Sequence, residues 1–297
     1  MTKYRWISAR KAEGFSIRLC CRVAEVAPSS YYDWRETHGD GPTASDLDEA
    51  YLVNAIMAIH DTLDDTYGSP RLTSELRREG RVNHKRVERV VRQHGLYAKD
   101  ARRKKCRTTI PDVSAPPLPD HINREFSVGA PGLRTCGDIT YIPTGEGWLF
   151  LAGVLDLGSR RCIGYDMDER MPTELVSRAL TMAVDTRGGD VRGMIFHCDR
   201  GSQYMSHDYR TLCTSFGIIQ SVGRTGSCHD NAVSESFWAT MKREMVSRFR
   251  FETRAEARRA IIAWINYYNG LRQHSSINNM SPIEWELRFA QRQRQAA

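Results

Sequence analysis

Polar and apolar positions change rhythm near residue 129. Before it the spacing is helical. The run DLDEAYLVNAIMAIHDTL places Leu47, Tyr51, Leu52, Ile56 and Ile59 at helix periods, which predicts an amphipathic helix. YGSPR (67–71) breaks it. RLTSELRREG predicts a short helix stopping at Gly80, and NHKRVERVVRQHG a second, capped by Asn83 and stopping at Gly95. Val87, Val90 and Val91 form the apolar stripe of that last helix, and Arg86, Arg89 and Arg92 lie off it. Upstream, FSIRLCCRVAEVAPSSYYDWR (15–35) reads as helix, sharp turn, helix, with Ser29 and Ser30 as caps, which resembles half of a helix-turn-helix. The polar stretch THGDGPTAS (37–45) separates it from the helical run that begins at residue 46.

After residue 129, strands and helices alternate. RTCGDITYIP (134–143), GWLFLAGVLDL (147–157) and RCIGYDM (161–167) are strands joined by short turns, so they predict an antiparallel meander. A helix over 172–186, a strand over 193–199, a helix ended by Gly217 and the strand IIQSVG come next. DNAVSESFWATMKREMV (230–246) predicts a long helix, and RAEARRAIIAWINYYNGLR an amphipathic one that packs on the core. The order β-β-β-α-β-α-β-α is that of the ribonuclease-H-like fold. The expected fold class is therefore α/β, a ribonuclease-H-like catalytic domain preceded by a small all-α region of helix-turn-helix type. The expected division is 1–45, a partial helix-turn-helix; 46–105, a helical DNA-binding domain; 106–128, a Pro-rich basic linker; and 129–290, the catalytic domain with its C-terminal helices. The terminal QRQRQAA is expected to fray.

Composition narrows the partners. Hydrophobic residues make up 40% and charged residues 27%, as in ordinary globular proteins. No apolar run approaches the roughly 18–20 residues of a membrane span, and MTKYRWISARKAEG has no signal-peptide core. A cytoplasmic, nucleoid-associated protein is expected, with no membrane partner. Net charge is +7, yet residues 71–107 alone hold 14 Lys/Arg against four Asp/Glu. The remainder is slightly acidic, so the basic block marks a phosphate-binding region rather than a merely solvated helix face. Arg71, Lys85, Arg86, Arg89 and Arg92 are its candidate DNA contacts. The eight cysteines are scattered with no C-x-x-C pair, which argues against a zinc ribbon. Cys198 and Cys228 are assigned to core packing.

The candidate chemistry lies in three carboxylates. Asp138 sits mid-strand on the face of Thr140, a costly position for a charge unless it is paired or bound to metal. Asp199 ends the fourth strand, and Glu235 lies one turn inside a helix, 36 positions later. If the first and fourth strands are neighbours, the two aspartates approach each other. Such a set suits two Mg²⁺ ions, with Mn²⁺ as a substitute, about 3.5–4 Å apart. Lys242 follows Glu235 by seven residues, two turns along one helix face, where it can meet a DNA phosphate. His197 is set aside as a packed strand histidine and Asp230 as an N-cap. Trp238 is assigned to core packing ahead of base stacking. Asp156 and Asp166 lack the spacing of a ligand set.

SSYYDWR, YGSPR, GDITYIPT, HCDRGSQYMS, GRTGSCHDNAVSESFWATMKRE and YYNGLRQHSSINNMSPIEWE together resemble a family. It comprises the transposases encoded by the second reading frame of bacterial insertion sequences, with a retroviral-integrase-like core. The family more often has Ser at the position of Cys198, and usually Trp at that of Thr135. The resemblance spans nearly the whole chain. It implies metal ligation by Asp138, Asp199 and Glu235 and DNA contact by Lys242. It also implies strand nicking followed by 3′-OH strand transfer at terminal inverted repeats. A homodimer on paired ends is implied, as is fusion with, or binding to, an upstream helix-turn-helix protein. Two other readings stand beside it: a ribonuclease-H-type nuclease that only hydrolyses, and a DNA-binding regulator without chemistry.

Overall fold

The structure is a computed structural model that describes residues 3–38, 42, 44–80, 82–98, 119–122, 129–222 and 232–296. The expected linker falls outside the described residues except for 119–122, as do Cys106, Cys228, Asp230 and Asn231. The chain divides into two units, Met1–Lys99 and Asp100–Ala297.

The first unit is all-helical. Helices α1 (Lys3–Ala12), α2 (Ile17–Val23) and α3 (Pro28–His38) share a small core of Ile7, Cys20, Cys21 and Tyr31. The sequence pattern does not predict α1, because Ile7 is its one buried residue and carries no periodicity. Ser16 caps α2, and α3 opens on Pro28 rather than behind Ser29 and Ser30; proline suits a first helical position. Helices α4 (Ala44–Leu63), α5 (Ser69–Glu79) and α6 (His84–His94) enclose a second core of Leu52, Ile56, Tyr67, Leu72, Leu76, Val87, Val90 and Val91. Leu47 and Tyr51 stay exposed. They lie roughly 140° and 100° round α4 from Leu52, off the covered stripe. Asn83 caps α6 by accepting from the Lys85 N–H at 2.9 Å, and Gly95 ends it in the left-handed conformation, φ 67°.

The second unit is built on one five-stranded sheet. Its strands are β1 (Arg134–Thr144), β2 (Gly147–Asp156), β3 (Cys162–Asp168), β4 (Ile195–Cys198) and β5 (Ile219–Val222), ordered β3-β2-β1-β4-β5. The first three are antiparallel neighbours; β1, β4 and β5 run parallel. Helix α7 (Thr173–Thr186) buries Leu175, Val176, Ala179, Leu180, Ala183 and Val184 on one face of the sheet, with Tyr209 and Cys213 of α9 (His207–Ser215) in the same cluster. The short α8 (Ser202–Met205) precedes α9. The other face is covered by α10 (Ala232–Met241) and α11 (Arg254–Gly270), through Phe237, Trp238, Met241, Ile261, Trp264, Ile265 and Tyr268.

The C-terminal α12 (Pro282–Ala296) does not fray in the described residues. Arg292 lies 5.0 Å over the Trp285 ring. Glu286 fastens the helix to the sheet by accepting from Ser159 Oγ, Arg161 and Arg187 at 2.6–2.7 Å. Arg187 also binds the fully buried Asp156, and Arg178 binds Asp166, so both aspartates are held in ion pairs. Among the described residues no helix is long and apolar enough to cross a membrane.

Candidate active site

The parallel ladder between β1 and β4 is short: Arg134 faces Ile195, Thr135 faces Phe196 and Cys136 faces His197. Two residues beyond that last pair stand Asp138 and Asp199. β4 ends at Cys198, while β1 continues beside β2 to Thr144, which also bridges Phe251. One edge of β1 therefore opens at Asp138, at the C-terminal end of the parallel strands, where α/β sheets place their chemistry. Helix α10 approaches from the other cluster, with Phe237, Trp238 and Met241 buried against Ile142, Leu149 and Leu151. Ser234 pins its first turn by donating to Cys136 Sγ at 3.1 Å. The next residue, Glu235, is exposed on the same turn.

Asp138 Oδ1 accepts from the Ile139 N–H at 2.8 Å and Oδ2 from the Trp238 Nε1–H at 3.1 Å. Burial, and then the charge of Asp199, push the Asp138 carboxyl up to about 7; Glu235 adds a smaller push, against the two hydrogen bonds. Burial also raises Asp199, opposed by the Gly201 N–H on its Oδ1 at 2.9 Å. No described lysine or arginine forms an ion pair with any of the three carboxylates. The site thus gathers oxygen ligands and negative charge with no ion-pair partner among the described residues, a set that fits a hard divalent cation. Among the described residues no three acidic, histidine or cysteine side chains are already close enough to close round one ion.

Lys242 sits where the helix changes pitch. The α-helix stops at Met241, and Lys242–Val246 form a π turn in which the Ser247 N–H reaches the Lys242 carbonyl at 2.8 Å. The expected single helix over 230–246 is therefore two segments. Lys242 Nζ lies 5.0 Å over the Tyr141 ring, itself edge-on to the half-exposed Trp148 at 4.9 Å. On the buried side of the π turn, Glu244 takes a bidentate grip from Arg272, at 2.8–3.1 Å. His197 is buried and hydrogen-bonded to Ser221 at 3.0 Å, as expected of a packed strand histidine. Trp238 is core-packed, and its indole bond to Asp138 goes beyond that expectation.

In the first unit the basic residues differ in what they meet. Arg86 pairs with Asp48 at 2.8 Å, and Arg89 with Glu49 at 2.7 Å and Gln93 at 2.9 Å. Arg92 reaches Glu88 at 3.6 Å, and Arg71 lies 5.5 Å over the Tyr67 ring. Lys85 is exposed in the first turn of α6. The acidic partners on α4 lie some 40 residues upstream, too far for any local pattern to reveal.

The integrase core domain family matches residues 129–228, a second integrase core family matches 216–282, and an HTH-like domain family matches 46–105. The uncharacterized 31 kDa protein of insertion element IS600 from Shigella sonnei is 37% identical over 273 residues, 91% of this chain and 98% of its own. Transposase InsF for insertion sequence IS3A from Escherichia coli (strain K12) is 36% identical over 286 residues, 96% and 98% of the two chains. Among solved structures, a chain of the simian T-cell lymphotropic virus intasome is similar at 16% identity and a TM-score of 0.46, over 78% of this chain and 74% of that one. With an integrase core behind an HTH-like domain, and with full-length likeness to InsF, the chain belongs to the insertion-sequence transposases, DNA polynucleotidyl transferases of the integrase type.

Proposed function

We propose that this transposase nicks its element ends and joins the freed 3′-OH to target DNA at a site made of Asp138, Asp199 and Glu235. Those three residues would hold two Mg²⁺ ions, or Mn²⁺ in their place. The observation that carries this reading is the pair of aspartates at the end of the β1–β4 ladder, raised by burial and without an ion-pair partner among the described residues. Bound there, the ions would supply activation of the attacking hydroxyl and charge stabilisation at the leaving oxygen. Nicking passes the phosphoryl group to water and leaves a 3′-OH and a 5′-phosphate; joining then forms a new phosphodiester as that 3′-OH displaces a target 3′-oxygen, one diester bond for another, so it requires no external energy source and no covalent link to the enzyme. Lys242, whose Nζ lies over the Tyr141 ring, acts as a point charge on a phosphate beside the carboxylates.

Lys85, Arg92 and Arg71, with Arg86 and Arg89 behind their acidic partners, contact the duplex of the terminal inverted repeats. Two copies on paired ends, and fusion with or binding to an upstream helix-turn-helix protein, complete the assembly we infer. It works on the nucleoid, in the cytoplasm.

The test is nicking and strand transfer on element-end DNA at varied Mg²⁺. Asp199→Asn is expected to lose more than about 10²-fold of both activities, since even outer-shell partners of a metal cost 10–100-fold. Wild-type rates in that variant sink the site. Cleavage without joining by the native chain supports the nuclease reading, and binding without either supports the regulator.

A further inference from the structure

We infer that Trp238 is the positioning residue for Asp138, and that position 153 is a glycine so that the Trp238 ring can reach it. The inference rests on the metal reading of the three carboxylates.

A carboxylate can turn about its last bond, and a ligand must not. Asp138 receives one donor on each oxygen, the Ile139 N–H at 2.8 Å and the Trp238 Nε1–H at 3.1 Å. Two donors on different oxygens set the plane of the group and leave lone pairs on both oxygens for a cation. The first donor is local backbone. The second comes from α10, a hundred residues later, so it also ties Asp138 to the helix that carries Glu235.

The chemistry of the indole suits this task. Its nitrogen donates only, so it cannot compete for a metal. It is neutral, so it leaves the negative charge that attracts the cation. Lysine or arginine at that point would offset the charge, and histidine or asparagine would bring an acceptor of its own. The ring is held in turn: it is nearly buried and edge-on to Phe237 at 4.7 Å, and Phe237 packs on Trp264 and Tyr268.

Gly153 stands directly across from Asp138 in the β1–β2 ladder. Residues opposed in an antiparallel pair point to the same face. A Cβ on Gly153 would fall 2.8 Å from Cη2 and 3.0 Å from Cζ2 of Trp238. The indole thus fills the space in which the cross-strand neighbour of Asp138 would have its side chain.

The test uses the full chain without DNA and reads Mn²⁺ affinity from the free-ion electron paramagnetic resonance signal. Trp238→Phe deletes the donor, and Gly153→Ala displaces the ring while leaving both bonding groups present. Each is expected to weaken Mn²⁺ binding about tenfold or more. Each should also raise the Mg²⁺ needed for nicking. Because phenylalanine lacks the outer ring atoms that the new Cβ would meet, adding Gly153→Ala to Trp238→Phe should weaken binding no further. Wild-type affinity in Trp238→Phe overturns the positioning role, and additive losses overturn the part given to Gly153. Should either variant not fold, the native protein decides: the Trp238 indole ¹⁵N–H resonance should shift when Mg²⁺ is added, and an unmoved resonance overturns the inference. Asp138→Asn separates the two readings. If it binds Mn²⁺ as well as the native chain does, the metal reading falls and takes the inference with it. If it does not bind while Trp238→Phe binds normally, only the inference falls.

Discussion

At Asp138, burial and the neighbouring Asp199 charge outweigh two hydrogen bonds and push the carboxyl from 3.8 up to about 7. Between those values the folded chain keeps a proton that the unfolded chain has released, so this residue's contribution to stability falls as pH rises through the window. Without divalent ions, Asp138→Asn is expected to be more stable than the native chain at pH 8, by at least about 1 kcal/mol, since each tenfold change in proton affinity is worth about 1.4 kcal/mol. The gain should vanish below pH 4. Thermal melts of both proteins at the two pH values check it, and a gain that persists unchanged in acid would refute it. Lys242 offers a second measurement. Lys242→Ala is expected to flatten the dependence of log affinity for DNA on log salt by about one unit, the share of one phosphate contact. An unaltered slope would remove Lys242 from the interface. Asp138, Asp199, Glu235 and Lys242 could be nominated from the chain because their spacing is a pattern within it. The indole on Asp138 was not, because a hydrogen bond between residues a hundred positions apart leaves no periodicity.

Among the elements, the segment after Glu235 departs most from its sequence reading. Phe237, Trp238, Met241 and Met245 have the period of one helix, and all four are buried as that period requires. The widening at Lys242 has no local signature. It coincides with the buried Glu244–Arg272 pair, whose second member arrives from the turn after α11. π turns of this kind often mark functional places. Arg272→Met should cost about 3–5 kcal/mol by removing the bidentate partner of the buried Glu244, and a second change, Glu244→Met, should recover most of it. Urea unfolding of the three variants decides this; a mild single variant would mean that Glu244 finds water or another donor. The pair draws its arginine from YYNGLRQHS. It braces the helix that holds Glu235 and Lys242, a role that the amphipathic pattern of α11 did not disclose.

For the molecule as a whole, the two units carry separable work. Lys85 and Arg92 lie in the first unit, the carboxylates in the second. Changing both basic residues to alanine is expected to weaken DNA binding and lower the salt slope by about two. Mn²⁺ affinity should stay as it was. Arg89→Ala should alter the slope less, because Glu49 already answers its charge. Equal effects of Arg89 and Lys85 on the slope would count against that distinction. The chain alone determined the α/β class, the β-β-β-α-β-α-β order and the basic helical region, and it nominated the acidic set. Each rests on a period, a local charge count or a fixed interval, which a linear sequence carries. Tertiary structure decided the rest. It set β4 beside β1 so that Asp138 and Asp199 meet. It paired Arg86 and Arg89 with α4, turned the helix at Lys242, and slid Trp238 over Gly153 onto Asp138. Those are contacts between distant segments, and packing, not periodicity, selects them.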